Sequence, residues 1–175
     1  MLLPNKLGAF AVLLADILES AYGVLSPSAA SLLLTLYYTR NATATALAKV
    51  AGISQPTAVR VLDGLVRQGF IERKNHTGRT TLLRVTRAGR ERAVSLQAAR
   101  LGAMEKILSG LNTQERATFE RILDTILVGA TTSRAFARTV CRLCNHPACH
   151  GPLCPIGTRA SEIEQTGQHV DSARR

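Results

Sequence analysis

All four cysteines of this 175-residue chain fall within one stretch of fourteen residues, at Cys141, Cys144, Cys149 and Cys154, with Pro155 directly after. The spacing is C-x2-C-x4-C-x4-C. Four thiolates in a loop this short can surround a zinc ion tetrahedrally. The same set can hold an iron–sulfur cluster. Zn2+ is the first reading and an iron–sulfur cluster the alternative. A third is a metal-free thiol switch, in which Arg138 and Arg142 favour thiolate at Cys141. His146 and His150 are spare candidate ligands. A closed four-cysteine set leaves no open coordination position, so the expected role is structural or sensory and not catalytic.

A second concentration of chemistry lies upstream. The chain carries 22 Lys and Arg against 12 Asp and Glu, a formal charge of +10. Between Arg60 and Arg100 stand ten basic residues and only three acidic ones, Asp63, Glu72 and Glu91. A field this concentrated favours a polyanion, nucleic acid before acidic lipid.

That basic stretch begins inside a recognisable pattern. From Thr43 to Leu65 two short helices are expected, separated by Gly52-Ile53-Ser54. Gly52 supplies a backbone without Cβ where the chain must turn sharply. Ser54 can cap the second helix. Ala58, Val61, Leu62 and Leu65 follow i, i+3, i+4, i+7 and form its buried face. Gln55, Thr57, Arg60, Gly64 and Arg67 are left outward, as a recognition helix requires. Ser54, Gln55 and Thr57 can reach base edges or phosphates, and Arg60 a guanine edge one turn later. Two strands follow, Phe70–Lys74 and Thr80–Val85, joined by Asn75-His76-Thr77-Gly78-Arg79. The hairpin carries Arg73, Lys74, Arg79 and Arg84, and a cationic loop beside a recognition helix can enter the minor groove or track phosphates.

The segments Ser54-Gln-Pro-Thr-Ala-Val-Arg-Val-Leu-Asp, Leu65-Val-Arg-Gln-Gly-Phe-Ile-Glu-Arg and Gly78-Arg-Thr-Thr-Leu-Leu-Arg-Val-Thr-Arg-Ala-Gly together resemble the MarR family of winged helix-turn-helix regulators. The resemblance spans about Leu7 to Thr139. It implies a homodimer with interlocking N- and C-terminal helices, binding to double-stranded DNA at a palindromic operator, and repression more often than activation. It allows a small-molecule effector, although no residue identifies a guest. The cysteine stretch lies outside it, directly after the last helix and so at the foot of the implied dimer. It resembles a zinc knuckle in spacing only, without the glycines and aromatic residue of that module.

The remaining elements fit this frame. Leu7, Phe10, Leu14, Ile17, Leu18 and Ala21 trace one face of a helix ending near Gly23. A second helix covers about Ala29–Thr39. Thr86 can cap a long helix reaching about Ser109, and Asn112 with Glu115 reads as a capping box for a last helix that fades near Thr139. The expected fold is mostly α with a small β-wing. Residues 1–140 are the DNA-binding and dimerisation domain, with the DNA-binding lobe at about 29–85. Residues 141–155 are a cysteine-rich metal-binding loop, and 156–175 a disordered polar tail.

Other classes are disfavoured. Lys6 precedes the apolar run Leu7–Ala15, but Asp16 and Glu19 end it too early for a membrane span, so a cytoplasmic location without membrane partners is expected. Asp63, Glu72 and His76 form no acid–base constellation, and no glycine loop cradles phosphate, so no enzyme is expected. The expected function is a sequence-specific DNA-binding regulator, a repressor, whose four-cysteine centre senses metal or redox state. The rival is a metal- or cluster-binding adaptor that turns its winged helix to protein or RNA.

Overall fold

The computed structural model describes residues 1–75 and 81–172, with the backbone alone for Asn75 and for 167–172. Its helices are α1 (Leu2–Tyr22), α2 (Pro27–Thr39), α3 (Ala44–Ala51), α4 (Gln55–Arg67), α5 (Arg87–Leu108), α6 (Thr113–Ala130), α7 (Arg134–Val140) and α8 (Pro155–Ser172). Strands β1 (Ile71–Asn75) and β2 (Thr81–Val85) form one antiparallel pair. The architecture is thus mostly α with a small β-wing, as expected.

The centre is α2. Every residue from Ala29 to Leu36 is buried, and Leu32, Leu33, Leu34 and Leu36 are sealed from solvent. A helix apolar on all sides can only sit inside. Around it pack Leu47 of α3, Ala58, Leu62 and Leu65 of α4, Ile71, Leu83 and Val85 of the sheet, and Ala93 and Leu96 of α5. Ala42 adds one more antiparallel bridge to the sheet: Leu83 N–H donates to the Ala42 carbonyl at 2.9 Å.

The caps read from the sequence are in place. Ser54 caps α4, Thr86 caps α5, and Asn112 and Glu115 form both halves of the capping box on α6. The α1 face is partly buried from Phe10 to Ala21 and packs on α5, while Leu7 is exposed. Helix α1 begins at Leu2, five residues before the expected start. Pro4 does not prevent this, because N–H groups of a first turn have no intrahelical partner to lose.

Two expectations at the C-terminal end are corrected. The last helix does not run unbroken to Thr139. It ends at Ala130, where Thr131 takes an extended conformation, and Ser133 caps a separate α7. The polar tail expected to be disordered from 156 forms α8 instead. Its Ile156 and Ala160, one turn apart, bury against Ala137 of α7. Arg134 of α7 adds bonds to Ser161 (2.7 Å) and Glu164 (2.9 Å). Tertiary contact thus supports a helix that composition alone disfavours. No single described helix is long and apolar enough to cross a membrane.

Candidate nucleic-acid interface and cysteine loop

Helices α3 and α4 form the expected helix-turn-helix. Gly52 ends α3 in the left-handed region at φ 67°, ψ 31°, and its N–H closes on Ala48 and Lys49. Ser54 then accepts the Thr57 N–H at 3.3 Å, and the Ser54 and Thr57 hydroxyls share a bond of 2.8 Å. Gln55, Thr57, Arg60 and Arg67 are exposed on one side of α4, and Ala58, Leu62 and Leu65 are buried on the other, with Val61 half-buried. Arg60 has no ion-pair partner among the described residues.

The wing divides its cations. Opposite residues of an antiparallel pair share a face. Ile71, Arg73, Leu83 and Val85 therefore lie on the core side, and Glu72, Lys74, Leu82 and Arg84 on the other. Arg73 reaches from the edge of the core side to Asp63 on α4 and forms an ion pair. Arg84 pairs with Glu72 across the strands at 3.0 Å. Lys74 is exposed and has no such partner among the described residues. Arg79 and His76 lie outside the described residues. The structure thus brings Ser54, Gln55, Thr57 and Arg60 together on one helix start, ties Arg73 to that helix, and sets Arg84 and Lys74 on the opposite face of the wing. Asp63 carries no local sign of its partner ten residues on.

The cysteine loop is not at the foot of the helical extension, where the sequence suggested it. Helix α7 packs on α3, and Thr139 approaches the Gly52 turn, 3.5 Å from where a Cβ would stand. The 3-10 turn Cys141–Leu143 then lies against α2. Tyr38 Oη donates to Asn145 Oδ1 at 3.3 Å, and its ring sits 5.0 Å from that of His146. The buried Gln97 amide of α5 also reaches the loop. In the orientation that satisfies its neighbours, its oxygen accepts from Asn145 N–H at 3.1 Å and Arg100 Nη2 at 3.0 Å. Tyr38, Gln97 and Asn145 carry no sequence signal for this, since the contacts span 107 and 48 positions.

All four cysteines are half-buried and free of disulfides. The Cys144 N–H donates to the Cys141 carbonyl at 2.9 Å, and Cys141, Cys149 and Cys154 line one cleft. Hydrogen bonding by the Cys141 thiol, helped by the nearby Arg100 charge, lowers the Cys144 thiol to about 6 against the cost of burial. Cys141 moves the other way, raised by that same bond and by burial. Burial and the Cys154 sulfur raise Cys149 to about 11. The sequence expectation of a thiolate favoured at Cys141 by Arg138 and Arg142 is therefore corrected. Cys144 is the acidic thiol, and Arg142 directs a hydrogen bond to the Thr139 carbonyl. As they stand, no three His, Cys, Asp or Glu side chains among the described residues converge on one metal-sized point.

The sequence model of the MarR family matches residues 25–78. That span covers α2, α3, α4 and β1. Among solved structures, Rv1404 of Mycobacterium tuberculosis superposes with a TM-score of 0.67 at 20% identity, covering 75% of this chain and 94% of its own. MepR of Staphylococcus aureus, a transcription regulator of the multidrug efflux pump MepA, gives 0.60 at 18%, covering 69% and 95%. A MarR family transcriptional regulator from Silicibacter pomeroyi gives 0.52 at 25%, covering 76% and 90%. No curated protein sequence matches the chain.

Proposed function

We propose that this chain, a member of the MarR family through its winged-helix lobe, is a transcription regulator that binds a palindromic DNA operator as a homodimer and represses from it. The observation that carries the reading is the outer face of α4. A capped helix start presents Gln55 and Thr57 with Arg60 one turn on, backed by buried Ala58, Leu62 and Leu65. In that first turn the Gln55 N–H is left for phosphate, since Pro56 has none and Thr57 gives its own to Ser54, and an Arg one turn in has the reach for a guanine edge.

The homodimer is supported by apolar surface left open at both ends. Leu2, Leu3, Leu7, Val12 and Leu13 are exposed on α1, and Ile122, Leu123 and Ile126 on α6. Phe10 and Phe119 meet edge to face at 6.4 Å, so the two helices adjoin where a second copy would cover them. Contiguous apolar surface of this kind is costly in water and marks an interface. Effector input has two candidate entries. One is a cleft of about 980 Å³ between α2, α3 and α7, lined in part by Lys49, Arg138 and Arg142 and large enough for a small molecule. The other is the cysteine loop, through metal or thiol state.

Selection from a random duplex library tests the reading. Enrichment of inverted half-sites with centres about one helical turn apart supports a symmetric dimer. Enrichment of single, unpaired half-sites would remove the palindrome, and recovery of RNA or protein in place of DNA would remove the regulator.

A further inference from the structure

We infer that Cys141, Cys144, Cys149 and Cys154 bind a single zinc-type divalent ion as four thiolates, and that this ion clamps α7 and α8 onto the helix-turn-helix. The inference deepens the regulator reading and rests on it only for its consequence at DNA.

Three observations point to the ion. Cys141, Cys149 and Cys154 line one cleft, and Cys144 is joined to Cys141 by a single 3-10 turn, its N–H donating to the Cys141 carbonyl at 2.9 Å. Next, Cys154 occupies the cap position of α8, where Ser, Thr, Asp or Asn is usual. Its sulfur accepts the Gly157 N–H at 3.2 Å, and a Cβ on Gly157 would come within 3.0 Å of it. The sulfur is thus held in place at the edge of the cleft. Finally, the surroundings are cationic. Arg100 lies near Cys144, with its Nε buried and unpartnered, and Arg134 lies near Cys154. A divalent ion with four thiolates carries a net charge of −2, which Arg100 offsets in part, Arg134 being already paired with Glu164.

The four sulfurs do not yet share one point, so closure must move the segment between Cys144 and Cys149, residues 145–148. Each thiol that ligates gives its proton to solvent, and a sulfur–metal bond forms in place of the S–H bond. Closure draws the start of α8 toward the 3-10 turn. That turn leads back through Thr139 to the Gly52 turn and through Asn145 to Tyr38. Metal binding therefore orders the contact between α7 and α3. Because α3 buttresses the recognition helix, the loaded protein holds a fixed α4 orientation.

The test uses the full chain, reduced and free of metal, titrated with Co2+. We expect one equivalent per chain with intense sulfur-to-cobalt charge-transfer bands and the visible bands of a tetrahedral site, displaced by Zn2+. Cys144→Ser and Cys149→Ser, one on either side of the 145–148 segment, should each weaken binding by tenfold or more, with folding checked by circular dichroism. His150→Ala should leave the spectrum unchanged. An octahedral spectrum, a spectrum altered by His150→Ala, or a brown protein with stoichiometric iron and sulfide would each overturn the four-thiolate zinc site. Should the serine variants lose their circular dichroism signal, alkylation of the wild type decides. Zinc must protect all four thiols, and protection of fewer overturns the assignment. Amide hydrogen exchange in 44–51 reads the clamp: slower exchange with zinc supports it, and unchanged exchange removes it. None of these readouts involves DNA, so failure here leaves the regulator reading standing and failure of DNA binding leaves the metal site standing.

Discussion

Tyr38, at the end of the buried central helix, donates a hydrogen bond of 3.3 Å to Asn145 in the middle of the cysteine loop. Burial raises the Tyr38 phenol above its usual range, so it stays a donor at any physiological pH. The bond joins the most buried part of the winged-helix lobe to the cysteine loop. Tyr38→Phe keeps the ring and removes only this bond. It should lower stability by about 0.5–1.5 kcal/mol, read as a fall in the thermal midpoint. It should also speed proteolytic cleavage within 145–150. Unchanged cleavage would mean that other contacts hold the loop.

Gly89, in the first turn of α5, lies against the Phe70 carbonyl, and a Cβ there would stand 1.8 Å from that oxygen. The same carbonyl accepts the Thr86 N–H at 3.0 Å. Neither backbone can yield, because one leads into the sheet and the other into a long helix. Gly89→Ala should therefore destabilise at or beyond the upper end of about 1–3 kcal/mol. Denaturant titration checks it, and a loss below about 0.5 kcal/mol would place the two segments further apart than described.

Asp63 holds Arg73 of the wing against α4. The pair is exposed, so little stability is at stake. Asp63→Asn should leave the unfolding midpoint nearly unchanged while releasing one more cation to phosphate. The salt dependence of DNA binding should then steepen by about one unit of slope. Lys74→Ala should make it shallower by about the same amount. Slopes equal to that of the wild type in both variants would place both faces of the wing away from DNA.

The Arg134 hydrogen bond, with Arg138 adding its charge, holds the Glu164 carboxyl below the usual range. A carboxyl depressed in the folded state stabilises at pH above its unfolded value and loses that contribution as pH falls through the folded value. The gap in thermal midpoint between wild type and Glu164→Gln should therefore be present at neutral pH and close in acid. A gap independent of pH would exclude this pair as a fastener of α8.

The winged helix was legible because its signals are local. Gly52, Ser54, Thr86 and Asn112 each announce a helix end within three or four residues, and the apolar spacing from Ala58 to Leu65 needs no distant partner to be read. The C-terminal third was not legible, because its order comes from contacts far apart in sequence. Helix α8 exposes a polar composition and owes its form to Ile156, Ala160 and Arg134 meeting α7. The place of the cysteine loop depends on Tyr38 and Gln97, which look like ordinary helix residues. Thr131 and Ser133, which divide α6 from α7, interrupt an apolar periodicity that would otherwise continue. At the candidate site, the exposed face of α4 was readable from spacing. The pairing of Arg73 with Asp63 was not, since it depends on how the sheet lies on α4.

The central claim, that α4 reads DNA sequence, meets its most direct test in the affinity of the full chain for a library-selected duplex against a scrambled one at about 0.15 M salt, for wild type and for Arg60→Ala. The account predicts a wild-type preference of about a thousandfold or more. It predicts that Arg60→Ala weakens the selected duplex by about 1–3 kcal/mol and the scrambled one much less. Equal affinity of the wild type for both duplexes would contradict it.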